Sequence, residues 1–185
     1  MQRVKLRLEL AIRTQRLTLR PLRESDLDDI VAGIGDFSVS RMLARVPHPY
    51  TRTDAVRFLH ACGANLRAGS GLNLTIEHAG RAIGGIGIHD MPHHTELGYW
   101  LRRTSWGLGF ATEAADAILA YGFDALRLPL IRSGYFVGNA GSARVQRKLG
   151  FMPVGRSARR SLARGTEVAH IDTVLTPERF RQAQR

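Results

Sequence analysis

Glu96-Leu97-Gly98-Tyr99-Trp100-Leu101, followed closely by Trp106-Gly107-Leu108-Gly109-Phe110-Ala111-Thr112-Glu113, reads as a strand, a short loop with two glycines, and the first turn of a helix. A helix start carries unpaired N–H groups and the positive end of the peptide dipole, so it attracts phosphate. Gly107 and Gly109 lack Cβ atoms, which lets an anionic ligand approach the main chain. No Walker-type lysine follows, and the third glycine of the dinucleotide fingerprint is missing. The motif therefore predicts a phosphate held mostly by amides. Gly-x-Gly alone is a weak signal; its place between a strand and an apolar-periodic helix gives it weight.

Upstream, Arg16-Leu17-Thr18-Leu19-Arg20 alternates as a strand, as does the opening Met1–Glu9 segment. Ser25 reads as an N-cap for a helix running to about Ile34, and Thr51 with Asp54 gives a capping box for a helix ending near Gly69. Val46-Pro47-His48-Pro49-Tyr50 must be loop. Leu72–Ile76 and Ala82–Ile88 read as strands around a turn at His78-Ala79-Gly80. Gly84, Gly85 and Gly87 predict a bulge or close backbone approach. Downstream come a helix after Gly109, a strand from Leu130 to Val137, a short helix from Ser142 to Leu149, and strands at Phe151–Val154 and His170–Leu175. The order predicts a mixed α/β (α+β) sheet in one domain over 1–185.

Bulk composition narrows the classes. Of 185 residues, 44% are hydrophobic and 23% charged, an ordinary balance for a globular chain. No stretch approaches the ~18 apolar residues of a membrane span, and the start lacks a signal-peptide core, so a cytoplasmic location with no membrane partner is expected. Cys62 is the single cysteine, which excludes an internal disulfide. On an apolar-periodic helix it reads as a buried filler rather than a nucleophile. The net charge of +11 admits nucleic acid, an acidic surface or a phosphorylated ligand as partner. No nucleic-acid motif or basic–aromatic interleaving accompanies it, which argues against nucleic acid. His89, His93 and His94 beside Asp90 fit no zinc spacing, so no metal is expected; His89 can also be read as a base beside an acceptor.

Five segments together resemble the GNAT superfamily of acetyl-CoA-dependent N-acetyltransferases, most closely the Rim-type (RimJ/RimL) branch that acetylates ribosomal-protein N-termini. They are Arg16–Leu22, Leu97–Leu101, Trp106–Ala114, Asn139-Ala140-Gly141-Ser142-Ala143-Arg144 with Lys148-Leu149-Gly150-Phe151, and Asp172 in its strand. The resemblance covers about residues 13–176. One departure stands out: where the family often has Gln or Arg three residues before the first glycine, this chain has Thr104, preceded by Arg102 and Arg103.

The resemblance implies a mostly antiparallel sheet splayed open between its fourth and fifth strands, flanked by helices. Acetyl-CoA would lie in the splay as co-substrate. Tyr99, Trp100 and Leu101 would offer main-chain contacts to its pantetheine. Arg102 and the loop Trp106, Gly107, Leu108, Gly109, Phe110, Ala111 and Thr112 would hold the pyrophosphate, with Asn139, Ser142 and Arg144 completing the cofactor site. The reaction is direct attack of an amine on a thioester, which needs a base for the ammonium and a proton or hydrogen bond for the leaving thiolate. Ser142 is the candidate acid, though its place also fits a helix N-cap. Tyr135 is the alternative acid or a packing residue. Glu96 is the first candidate base or a solvated strand end; Glu167 and Asp172 come second.

The resemblance places the last loop, expected at Arg156–Arg164 with four arginines, beside the acceptor. Those charges would repel a polycation, favouring a small-molecule or peptide acceptor such as a protein N-terminus or amino-acid-like metabolite. They could instead be solvated, grip the CoA 3′-phosphate or favour a succinyl donor. An antibiotic-detoxifying acetyltransferase is the alternative enzyme, a catalytically silent CoA-binding module the alternative class. Homodimers are common among relatives.

Overall fold

One sheet of eight strands dominates the computed structural model, which describes residues 10–184. The strands are β1 (Ile12–Arg13), β2 (Thr18–Pro21), β3 (Leu72–His78), β4 (Arg81–His89), β5 (Glu96–Leu101), β6 (Ile131–Phe136), β7 (Met152–Ser161) and β8 (Thr166–Leu175). Their order is β1-β2-β3-β4-β5-β6-β8-β7. Every neighbouring pair is antiparallel except β5 and β6, which are parallel. The Met1–Glu9 segment lies outside the described residues.

Six α-helices are seen among the described residues: α1 (Leu27–Ile34), α2 (Phe37–Ser40), α3 (Arg52–Ala68), α4 (Phe110–Ala120), α5 (Ala140–Lys148) and α6 (Pro177–Ala183). The capping box at α3 forms as read: Thr51 accepts from the Asp54 amide, the Asp54 carboxylate accepts from the Thr51 amide, and Gly69 ends the helix at φ +71°. The start of α1 differs. A 3₁₀ turn (Glu24–Asp26) precedes it, and Asp26 rather than Ser25 organises the entry. The Asp26 carboxylate accepts from the Arg23 amide at 2.9 Å and meets the buried Arg20 guanidinium at 2.7 Å. That ion pair outweighs a serine hydroxyl as an anchor. Helices α2 and α6 are too short for their period to stand out in the sequence.

Strand alternation sorts β5 between the two faces of the sheet. Leu97 and Leu101 join Ile76, Ile88, Ile118, Leu119 and Ile131 in the main core, which α4 covers. Each such side chain contributes about 1.5–3 kcal/mol by leaving water. Trp100 turns the other way and packs against the cluster of Ile30, Ile34, Val39 and Ala82 beneath α1 and α2. The β4 glycines mark close approach, because a Cβ on Gly84 would strike the Trp100 carbonyl. The register shift of this hairpin lies at Ile76/Glu77, directly beside Gly84, the partner of Ile76, so the expected bulge adjoins the glycines as well.

The last two strands are longer than their apolar runs suggest. Arg156, Arg159 and Arg160 belong to β7, and only Leu162–Gly165 is turn. The expected arginine loop is therefore mostly strand. The hairpin tip docks far from its own sheet edge: the Leu162 amide donates to the Ala44 carbonyl at 3.1 Å, and Arg164 Nε to the Arg41 carbonyl at 2.8 Å.

Candidate active site

Strands β5 and β6 are in register at a single pair, Glu96 with Arg132, and then part. The Arg132 amide donates to the Thr95 carbonyl at 2.8 Å, and the Ser133 hydroxyl to the Leu97 carbonyl at 2.9 Å. Gln146 on α5 seals this vertex. Its amide nitrogen reaches Ser133 Oγ and the Gly134 carbonyl, both at 3.0 Å, and its oxygen accepts from Thr173 Oγ1 at 2.7 Å. Beyond the vertex the strands enclose a cleft of about 610 Å³.

The alternation that turns the Thr95 and Leu97 carbonyls toward β6 does the same for Tyr99 and Leu101. The Leu101 carbonyl already accepts from Trp106 Nε1 at 2.8 Å, a bond that competes with a ligand there. Tyr99 is left with its main chain at the open edge, a ready strand-pairing position. Trp100 faces β4 with its main chain and the α1 cluster with its ring.

The loop after β5 turns through both glycines in the left-handed region. Gly107 sits at φ +78° and Gly109 at φ +84°, a region side chains rarely adopt. No side chain caps the N-terminus of α4, so the amides of its first turn, from Phe110 on, are left to a ligand. Ala111 and Thr112 line the cleft beside Gly107 and Gly109, while the exposed Leu108 contributes its carbonyl to Arg16 at 3.0 Å. Arg16 also pairs with Glu113 at 2.7 Å and lies 4.6 Å over the Phe110 ring. Glu113 further accepts from Thr14 Oγ1 and the Arg16 amide, at 2.6 and 2.8 Å. Burial alone would raise the Glu113 pKa, but these partners together hold it below its usual value. The segment before β2 thus straps the loop to α4, a role invisible until the two meet.

Arg102 does not reach the loop. Its guanidinium donates to the Ala82 carbonyl and lies 3.5 Å from Asp29, on the α1 side of the sheet. The neighbouring carboxylate draws it there, and cationic groups at the cleft come instead from Arg144 and Lys148 on α5.

Asn139 is the N-cap of α5, its side-chain oxygen accepting from the Ser142 amide at 3.1 Å. Ser142 is therefore in the first turn of the helix and not its cap. Its side chain lines the cleft. Tyr99 donates to the Ser142 carbonyl at 3.4 Å, and burial pushes the Tyr99 hydroxyl up to about 12, so it stays protonated. Tyr135, two residues beyond Ser133, shares the α5 side and also lines the cleft.

The opposite face carries a polar cluster that no single segment reveals. Glu96 meets Arg159 at 2.7 Å, and Arg159 meets Asp172 at 3.0 Å. Asp172 also lies 3.0 Å from His170 Nδ1. Arg45 approaches Glu96 at 4.0 Å and Asp90 at 3.6 Å. Asp172 ends below its usual pKa: burial opposes this, while Ser157, Arg159 and His170 bring it about. Arg159 and His170 are the residues sequence reasoning missed. Glu167, a second candidate base, is exposed toward the hairpin tip and is not on the cleft wall. Cys62 is 7% exposed, and burial pushes its thiol up to about 12, leaving it inert at neutral pH. His93 and His94 stand exposed in a turn, and no group of three or more metal-ligating side chains gathers among the described residues.

A family description, the acetyltransferase (GNAT) domain, matches residues 16–152. The chain belongs to the GNAT acetyltransferase family. An uncharacterised N-acetyltransferase of Bacillus subtilis, YoaA, is 29% identical over 149 residues, covering 78% of this chain and 84% of the relative. The ribosomal-protein-S5-alanine acetyltransferase of Vibrio fischeri superposes with a TM-score of 0.79 at 19% identity, over 93% of this chain and 99% of that one. RimJ of Mycobacterium smegmatis, solved in complex with CoA-disulfide, does so with 0.78 at 23%, over 88% and 82%. These two share the GNAT fold with the chain. This GNAT protein is accordingly an N-acetyltransferase, and no helix among its described residues is long and apolar enough to cross a membrane.

Proposed function

We propose that this GNAT enzyme transfers an acetyl group from acetyl-CoA to one primary amine by direct attack, and that the amine belongs to a peptide N-terminus or an amino-acid-like metabolite. The observation that carries the donor half is the opening between β5 and β6, with the Tyr99 main chain on its edge. The amides of the glycine loop and the α4 start suit a pyrophosphate, and Arg144 and Lys148 suit a further phosphate. Asn139 keeps its amide nitrogen for the pantetheine. Ser142 donates a hydrogen bond to the leaving sulfur from the α5 side, with Tyr135 the alternative donor.

The acceptor half rests on charge balance. Asp90, Glu96 and Asp172 are paired with Arg45 and Arg159. Of the four arginines expected to repel a polycation, Arg159 is matched by two carboxylates and Arg164 is spent on the hairpin tip. Arg156 and Arg160 alternate with Arg159 on β7 and so project from its other face. The repulsion argument therefore lapses. A balanced site with an apolar wall of Val39, Met42, Leu43 and Ala44 suits a single ammonium on a small, otherwise uncharged group.

The test is a thiol-release screen with acetyl-CoA and succinyl-CoA against neutral N-terminal peptides, amino acids, spermidine and kanamycin. Acetyl transfer to a neutral N-terminus or amino acid is expected to be fastest. Faster turnover of kanamycin or spermidine overturns the acceptor assignment, and absence of heat on titrating folded protein with acetyl-CoA overturns the donor.

A further inference from the structure

We propose that His170 is the base that takes the proton from the incoming ammonium, with Asp172 as its positioning residue; this rests on the acetyl-CoA reading above. His170 stands on β8 opposite Phe136 of β6, and Asp172 stands opposite Gly134. Because Gly134 has no side chain, the imidazole lies across β6 in the space a Cβ would fill: its Cε1–Nε2 edge is what such a Cβ would strike, with Nε2 2.8 Å away. Gly134 follows Ser133, the last residue tying β6 to β5. The ring edge thus sits where the two strands begin to part, and His170 lines the cleft there.

The hydrogen bond at the other nitrogen decides the tautomer. Asp172, ionised at neutral pH, can only accept, so His170 Nδ1 must carry the proton. Nε2 of the neutral ring then presents a lone pair at the cleft edge. Phe136 meets the ring edge-on at 5.7 Å and restrains its tilt. The charged groups facing the ring are Asp172 from β8, Arg159 from β7, Glu96 from β5, and Arg164 stacked 5.4 Å over Phe136. Burial first and the Arg159 charge second hold the imidazole below its ordinary 6.5, while Asp172 and Glu96 oppose them, so the ring is neutral near pH 7.

The competing groups are occupied or misplaced. Both Glu96 oxygens have guanidinium neighbours, Arg159 at 2.7 Å and Arg45 at 4.0 Å. His89 pairs with Glu96 from β4, one strand further from the opening, and is not on the cleft wall. The faces of the sheet also separate the two proton tasks. His170 and Glu96 lie on the α2 side, whereas Ser142 and Tyr135 lie on the α5 side. His170 Nε2 takes one N–H proton from the ammonium and later returns it to solvent. The freed nitrogen pair forms the C–N bond as the C–S bond breaks, and the second N–H proton ends on sulfur, which Ser142 hydrogen-bonds meanwhile.

The experiment pairs nitrogen-15 NMR of the histidine side chains with acetyl transfer to an alanine-initiated tetrapeptide amide. In the wild type, His170 is expected as the Nδ1–H tautomer, titrating below the usual histidine range. His170→Gln is expected to lower kcat/KM by ~10²- to 10⁴-fold, removing the acid limb of its pH profile. CoA affinity by calorimetry should stay within about twofold, which separates this failure from failure of the acetyl-CoA reading. Asp172→Asn should move the limb to lower pH and raise the Nε2–H population. A His170→Gln rate within about threefold of wild type, an Nε2–H ring in the wild type, or loss of the limb in Glu96→Gln alone would overturn the assignment. If His170→Gln fails to fold, the Asp172→Asn shift decides; if the tetrapeptide is not a substrate, the tautomer decides.

Discussion

The α5 side of the cleft presents mostly main chain: the Tyr99 edge, the glycine loop and the amides opening α4. The opposite side presents the side chains of Glu96, Arg159 and His170, two of them charged, backed by Arg45 and Asp172. Main-chain donors keep their positions whatever neighbouring side chains do, so the first half can hold a large anion with little dependence on residue identity. The second half depends on rotamers and on a charge balance that one substitution upsets. The difference suggests a division of labour, with a constant ligand gripped by backbone and a selected ligand read by side chains.

The sharpest way to break this contrast is Ser142→Ala, which changes the α5 side at the first candidate donor to the leaving sulfur. It is expected to lower kcat by ~10²-fold while leaving the CoA dissociation constant unchanged, measured by thiol release and calorimetry. A comparable loss of CoA affinity would show that the serine serves binding instead. A smaller effect is expected where side chains assist the backbone. Arg144→Gln combined with Lys148→Gln should weaken CoA about tenfold and leave dephospho-CoA nearly unaffected, since each exposed cation contributes under ~1 kcal/mol to a phosphate. Equal weakening of both ligands would place these cations at the pyrophosphate.

The smallest effect tests the strap that holds the glycine loop. The Glu113 carboxylate is held below its ordinary 4.5 by Thr14 and Arg16, so its contribution is complete above that value and disappears as pH falls through the lower folded value. Arg16 is 42% exposed on its side chain, and screening limits the gain. Glu113→Gln should therefore lower the melting temperature by a few degrees at pH 7. The gap should close as the pH falls below 4.5 and through the lower folded value, as followed by circular dichroism.

How much was legible in advance follows the same division. Trp106–Glu113 specifies its loop by local means, glycines at positive φ and an uncapped helix start, so the donor half could be read from adjacent residues. The Asn139–Ser142 turn was read through the family resemblance, and which of the two caps α5 needed coordinates. Arg159 and His170 were not legible, because their importance comes from register: β7 and β8 must pair before Arg159 bridges Glu96 and Asp172. Length also misled. Met152–Ser161 is largely exposed and rich in arginine, so its sequence lacks the apolar alternation that marks a strand, and pairing with β8 imposes the conformation. Arg102 turns away from the loop because adjacency in sequence is weaker than the pull of Asp29 on the same side of the sheet.

The docked hairpin tip has a mechanical consequence. Leu162 and Arg164 hold the 41–44 segment through the Ala44 and Arg41 carbonyls, which ties the β7–β8 hairpin to the part of the cleft wall formed by Met42, Leu43 and Ala44. If those bonds release together on widening, admission of bulky molecules is expected to be all-or-none. Selectivity by girth would then show itself as a threshold in turnover along a series of progressively larger amines, rather than a smooth decline.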